Sequence, residues 1–374
     1  MREHVKGQGF FTILLLVAFC INWFIPSHGV AEYGHYAHAA LVHSGVAWPK
    51  EYPPAALGVF LLPLILPMGY RLAFMILTVA AYLLLGRIVG TDPIVRRRMA
   101  VYLFLATMAI GLQRYDVYAV IPTILGVRAA HRGKWTRAWA WSLVGVWLKL
   151  YPVVFWPLWL IAEWRATGKL RWSRLGVGMA LAVAPSVAVS VWSGHGHWIQ
   201  FLADRPPNLG SVPGDLAAIL TGNYSYRWAF GSLVVAAPIA PLVAHVTEAI
   251  GLILMAGVIW TYFRQQIGLD AAEVLLLWLL ILSSKVFSPQ YVIWAAPLMA
   301  TFATQRLWVY GSFATTMAFP VAYVFRSPLW IGEFRAVWYG MANLLFGVGL
   351  WVFWHRTHRV TDDHRVHPSP GIGG

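Results

Sequence analysis

A chain of 374 residues that is 59% hydrophobic and 11% charged, with a mean hydropathy of +0.63, is no soluble domain; soluble domains carry about 25% charged residues. Its apolar runs are continuous rather than alternating, which argues against a β-barrel and points to an all-α polytopic membrane protein. The net charge of +14 gathers beside the ends of apolar segments, a topology signal rather than a nucleic-acid footprint, and the single cysteine, Cys20, excludes an intrachain disulfide.

The first apolar segment, about residues 9–26, follows Arg2 and Lys6, which place its start in the cytoplasm. No small-x-small cleavage site follows it, so it reads as an uncleaved helix. The stretch His28–Pro54 is then an external loop, with Glu32, Glu51, four histidines (His28, His35, His38, His43) and a Tyr52-Pro53-Pro54 corner. Residues 54–67 are apolar but proline-rich and short of the ~20 residues a span needs, so they read as a re-entrant or interfacial helix. A span over about 71–90 reaches a basic joint with Arg87, Arg96, Arg97 and Arg98. Spans over 99–112 and 117–130 flank Gln113-Arg114-Tyr115-Asp116 and descend to Arg132, Lys134 and Arg137.

The run 138–164 is interrupted by Lys149-Leu150-Tyr151-Pro152. A helical hairpin there keeps Arg165, Lys169, Arg171 and Arg174 on the inner side. A span near 174–192 precedes a second external loop, 193–230, holding His195, His197, Arg205-Pro206-Pro207, Ser211 and Asp215. Residues 231–246 are apolar and ambiguous, and a span over 247–263 ends at Arg264. A second hairpin, 271–304, is broken by Lys285-Val286-Phe287-Ser288-Pro289-Gln290-Tyr291. Spans over 307–325 and 337–354 flank an external loop with Arg326, Glu333 and Arg335. The expected architecture is one membrane-embedded domain over 1–355, with about ten to twelve transmembrane helices, short re-entrant helices and two larger external loops. A polar tail, 356–374, follows, and both termini lie in the cytoplasm.

Charge near membrane depth is costly, so each outer charge is a functional candidate. Lys149 and Lys285 stand at the two hairpin breaks, each followed by an aromatic and a proline. Cations at helix breaks suit a phosphate or diphosphate; snorkelling to lipid headgroups is the plainer use of such lysines. Arg114 and Asp116 share one outer turn, where they either pair with each other or serve a site. No Cys and no HExxH-like motif accompanies the histidines, so no metal is expected. Asn223-Tyr224-Ser225 is a formal glycosylation sequon. A carboxylate base on the outer face would come from Glu32, Glu51, Asp116, Asp204, Asp215 or Glu333.

Tyr33-x-x-Tyr36-Ala37, Gly45, Glu51-Tyr52-Pro53-Pro54, Arg114-Tyr115-Asp116, Lys149-Leu150-Tyr151-Pro152, Arg205-Pro206 with Ser211, and Ser288-Pro289-Gln290-Tyr291 occur in that order. Together they resemble bacterial glycosyltransferase family 87, the polyprenol-phosphomannose-dependent α-mannosyltransferases of the C-type superfamily, over about residues 28–300. The resemblance implies a multispanning enzyme of the plasma membrane whose site faces away from the cytoplasm. The donor it implies is a polyprenyl-phosphate sugar, usually mannose, and the acceptor a hydroxyl on a lipid or glycan. No cofactor or metal is implied. The chain departs from the family at Gly29, where a catalytic aspartate usually stands, and the nearest acid is Glu32.

The assignment that follows makes Glu32 the base, with Asp116 as a further catalytic carboxylate. Lys149, Lys285 and Arg205 hold the donor phosphate, and Glu51, Tyr52, Arg114, Gln290 and Tyr291 shape the pocket. The rival classes are a transporter or flippase of an anionic lipid or solute, and a non-catalytic family member. Alternating access usually leaves inverted repeats and midplane charges, whereas here the charges gather at one face.

Overall fold

The computed structural model describes residues 2–24, 28–42, 49, 51–90, 92–108, 110–193, 201, 203–222, 225–230, 232–303, 305–317 and 328–366. The described residues are 81% helical. Four helices among the described residues are long and apolar enough to cross a membrane: Tyr70–Val89, Trp172–Val189, Ala240–Phe263 and Val337–His358. Shorter apolar helices accompany them.

Helix α1 (Arg2–Phe24) is followed by α2 (His28–Val42), α3 (Ala56–Leu61) with a 3₁₀ turn over Leu62–Ile65, and α4 (Tyr70–Val89). The Asp92 side chain accepts from the Ile94 N–H at 2.8 Å and caps α5 (Pro93–Thr107), whose first-turn proline needs no hydrogen-bond partner. Next come α6 (Asp116–His131), α7 (Trp135–Leu148) and α8 (Trp156–Thr167). Between α7 and α8, Pro152 opens a 3₁₀ turn over Tyr151–Phe155, because proline cannot donate to a continuing helix. After α9 (Trp172–Ser193), Ser211 caps the short α10 (Val212–Thr221) through the Gly214 N–H at 3.2 Å.

Strands β1 (Tyr226–Ala229) and β2 (Ser232–Val235) then pair antiparallel, with Tyr226 opposite Val235 and Ala229 opposite Ser232. The remaining helices are α11 (Ala240–Phe263), α12 (Leu269–Ser283), α13 (Val292–Phe302), α14 (Arg306–Thr316) and α15 (Pro328–Val366). Pro289 opens the 3₁₀ turn that separates α12 from α13. Both breaks therefore fall where the sequence places them, at the two Lys-aromatic-Pro stretches.

Three local expectations change. The first part of the stretch expected as a loop, His28–Pro54, is helical through Val42, because Val30, Tyr33 and Ala37 recur at helical spacing and are buried on one face. The ambiguous stretch from 231 supplies β2 and the start of α11, so a small hairpin joins an otherwise helical fold. The polar tail expected from 356 is, through Val366, a continuation of α15, with no proline before Pro368 to stop it. Several earlier candidates, His43, His195, His197, Asn223 and Arg326, lie outside the described residues.

The main core runs through α1, α4–α8 and α11–α15. A second, smaller cluster joins α2, α3, Phe74 of α4 and Tyr115. At its centre the fully buried Tyr33 ring stacks on Phe60 at 4.4 Å and meets Tyr52 and Tyr115 edge-on at 5.6 and 5.8 Å. Such offset and edge arrangements add to the gain from burial alone. Tyr33→Ala is expected to cost about 3–5 kcal/mol, while Tyr33→Phe keeps the rings and changes stability by under about 1 kcal/mol. Thermal unfolding of the two variants in detergent tests the difference.

Candidate functional site

Three separate stretches meet at Lys149. α7 ends at Leu148, and Lys149 adopts an extended conformation that carries its side chain away from the helix axis. Its Nζ lies 2.6 Å from Asp116 Oδ1, with the lysine side chain 15% exposed and the aspartate fully buried. The ammonium also sits over the Tyr115, Trp294 and Tyr291 rings, at 5.0, 4.9 and 5.5 Å from their centroids. Trp294 Nε1 donates to the same Asp116 oxygen at 2.7 Å, and the Trp294 ring itself stacks with Tyr151 and Tyr291 at 4.4 and 4.1 Å. Arg-Tyr-Asp, Lys-Leu-Tyr-Pro and Ser-Pro-Gln-Tyr thus form one aromatic box around one ion pair. An ammonium has three donors, so two N–H groups remain beyond the one given to Asp116.

The second part of the site is carried by α2 and the Tyr52-Pro53-Pro54 corner. Burying Tyr33 and Ala37 against α3 turns the neighbouring Glu32 towards the box, where Tyr36, one helical turn on, hydrogen-bonds it. Burial pushes the Glu32 carboxyl above its ordinary value, opposed by the Arg114 and Arg205 charges and by His35. Glu51 is pushed further, to about 7, by burial and then by the nearby Glu32, with the same two arginines opposing. Two carboxylates and two guanidiniums therefore influence one another directly.

These groups line a cavity of about 1020 Å³. Its polar end holds Glu32, Glu51, Tyr52, Arg114, Lys149, Arg205, Gln290 and Tyr291. Arg205 is steadied by a 3.0 Å hydrogen bond from Nη2 to Ser232 Oγ on β2. The other end is a wall of α11 residues at one-face helical spacing, Leu252, Met255, Ala256 and Ile259, facing Leu276, Leu280 and Ile281 of α12. Three buried polar atoms of the polar end, Arg114 Nε, Arg205 Nε and Gln290 Oε1, have no hydrogen-bond partner among the described residues. They are donors and an acceptor suited to an anionic, hydroxylated ligand.

Eight of the ten residues singled out from the sequence line this cavity. Asp116 does not: it is fully buried and engaged by Lys149 and Trp294, so it orients the lysine instead of facing the cavity as a base. The turn-mate pairing of Arg114 with Asp116 gives way to the Lys149 pair. Lys285 is also absent from the lining, and its Nζ donates outward to the Ala203 carbonyl at 2.6 Å. The reason is alternation: Ser284, Val286 and Ser288 point into the cavity, leaving Lys285 and Phe287 on the other side of an extended segment. Ser232, Asn208 and Trp294 also line the cavity, and no motif had marked them. The alternation was legible in the sequence; the hairpin that delivers Ser232 was not. No protein-family model matches the chain, and no curated protein matches it.

Asp116→Asn would leave a buried ammonium without its counter-ion and is expected to cost about 3–5 kcal/mol. Lys149→Met in the same chain should recover most of that loss, which thermal unfolding of both single variants and the double variant checks. Glu51 also makes stability depend on pH. The folded chain keeps its proton to about pH 7, whereas the unfolded chain releases it near 4.5. The folded state thus binds more protons between these values, and stability falls as pH rises across them. Glu51→Gln removes that dependence, so its melting temperature relative to wild type should climb from pH 5 to pH 8.

Proposed function

We propose that this chain is a membrane glycosyltransferase that takes a sugar, mannose by resemblance, from a polyprenyl-phosphate donor to an acceptor hydroxyl. The observation that carries this reading is one cavity with two kinds of wall: clustered cations and carboxylates on one side, and on the other the apolar faces of α12 and of α11, a helix long and apolar enough to cross a membrane. A soluble anion has no use for the apolar wall, and an ordinary lipid has no use for the polar end. A lipid-linked phosphosugar uses both. The ordered resemblance to glycosyltransferase family 87 supports the same reaction class and mannose as the sugar.

In this reading the polyprenyl chain lies along α11 and α12, and its phosphate is met by Arg114, Arg205 and the free N–H groups of Lys149. Gln290 and Tyr291 address the sugar. Glu32 takes the acceptor proton as the acceptor oxygen attacks the anomeric carbon. The bond from that carbon to the phosphate oxygen breaks, and polyprenyl phosphate leaves with the electron pair. Burial raises the affinity of Glu32 for a proton, bringing it nearer to the range that serves a general base. Asp116 holds Lys149 in register. Membrane crossing by ten to twelve helices, with both termini cytoplasmic and the polar end of the cavity outside, belongs to the same proposal and follows the distribution of inner arginines.

The test is transfer from polyprenyl-phosphomannose to membrane lipid extract by purified chain. Glu32→Gln is expected to lower transfer about 10²–10⁴-fold while donor binding persists. Arg205→Ala is expected to raise the donor KM with less effect on kcat, as lost ground-state binding would. Undiminished transfer by Glu32→Gln removes that residue as base. Wild-type chain that transfers sugar from no lipid-linked donor overturns the proposal.

A further inference from the structure

Helix α11 has a second working face. The residues between those that line the first cavity, Ile250, Gly251, Ile253, Leu254, Gly257, Val258 and Thr261, line another cavity of about 1130 Å³. Its other walls are α12, α15 and α10, so two of its walls, α11 and α15, are helices long and apolar enough to span a bilayer. An occupant of such a space is a lipid chain, because only hydrocarbon matches walls of leucine, isoleucine, valine and tryptophan at that depth.

One end of this groove is polar, and its chemistry differs from that of the first cavity. Asp215 and Asn343 line it, and among the described residues no cation does. Asp215 Oδ1 accepts the Gly210 N–H at 3.0 Å, and Asn343 Nδ2 donates to the Gly210 carbonyl at 2.9 Å. Asn343 Nδ2 also lies 3.4 Å from Asp215 Oδ2. Because both neighbours are acceptors, the amide nitrogen must face them, and the remaining atom, Asn343 Oδ1, is an acceptor. That atom is buried and has no hydrogen-bond partner among the described residues, in a residue that is 8% exposed. A buried orphan acceptor calls for a donor such as a hydroxyl. A phosphate would find a carboxylate and no counter-charge.

We infer that the groove between α11, α12 and α15 binds a lipid with an uncharged, hydroxyl-bearing head, presented to Asn343 and Asp215. Its head lies one loop from the first cavity: Asn208 lines that cavity, and two residues on Gly210 anchors Asp215 and Asn343. The two sides of α11 thus sort two lipids by charge, an anionic one beside Arg114, Lys149 and Arg205, and a neutral one here. That the neutral lipid is the sugar acceptor rests on the transferase reading; that it binds does not.

Gly257 and Gly347 give the means of testing it. Both line the groove, and a Cβ added at either meets nothing within 4 Å. Leucine there starts from open space and adds bulk to the groove wall, and in a helix it is preferred over glycine. The probes are photoactivatable diacylglycerol and photoactivatable phosphatidic acid with identical chains, each dilute in phosphatidylcholine vesicles containing the full chain. Diacylglycerol is expected to label α11 and α15 within the groove, with phosphatidic acid about tenfold weaker, the discrimination that one uncompensated charge of about 1.4 kcal/mol produces. Gly257→Leu, Gly347→Leu and their combination should reduce diacylglycerol labelling to that of surrounding bilayer lipid.

Equal labelling by both probes, unaltered by the leucines, overturns the inference in favour of annular lipid. Groove labelling by neither probe, the result if a protein segment covers it, also overturns it. Sugar transfer is assayed on the same preparations. Selective labelling without transfer leaves this inference standing and removes the transferase reading; transfer without groove labelling does the reverse.

Discussion

The ion pair of Lys149 and Asp116 inside its ring of Tyr115, Tyr291 and Trp294 is the constraint on which the rest of the site depends. Removing both charges from water is costly, and a buried pair repays that only with good geometry and further hydrogen bonds. Here the geometry is good: a 2.6 Å contact, a second donor from Trp294, and three ring faces towards the cation. Each cation–π contact contributes about 0.5–2 kcal/mol, more when desolvated. The three partners come from the start of α6, the α7–α8 break and the α12–α13 break. A shift in any one would strand a buried charge, so the pair fixes the relative positions of three otherwise separate stretches.

Around that anchor, aromatic packing sets the carboxylates. Tyr33 is the common neighbour of Phe60, Tyr52, Phe74 and Tyr115, so α2, α3, α4 and the entrance to α6 share one ring cluster. Glu32 and Glu51 adjoin Tyr33 and Tyr52 in sequence, and rings that bury themselves in the cluster leave the acids facing the cavity. The tyrosines of the motif thus place the acids without needing to touch a ligand. Burial first, and the closeness of Glu32 second, raise the proton affinity of Glu51.

Helix α11 stands between two cavities. Apolar on every side from Ala249 to Trp260, it displays no amphipathic stripe there, and its two faces acquire different meanings only from what surrounds them. One face continues towards Arg114, Lys149 and Arg205; the other continues towards Asp215 and Asn343. The segment 207–211 partitions them. Its hydrogen bonds run to Lys285, Phe287 and Leu233, tying the partition to the α12–α13 break and to β2.

The sequence by itself determined the helical, membrane-suited class, the two helix breaks at Lys149-Leu150-Tyr151-Pro152 and Lys285–Tyr291, and most of the polar residues around the first cavity. Those features are local: continuous apolar runs, prolines that cannot continue a helix, and charges too expensive to be incidental. The helix within His28–Val42 was legible too, in the spacing of Val30, Tyr33 and Ala37, but its glycines and histidines obscured it. Only the tertiary structure decided that Asp116 belongs to Lys149 rather than to its turn-mate Arg114, and that Lys285 turns away while Ser232 and Trp294 turn in. It alone decided that the two faces of α11 line different cavities. Each of these is a choice among partners distant in the chain, settled by burial and charge pairing, and no spacing within one segment encodes it.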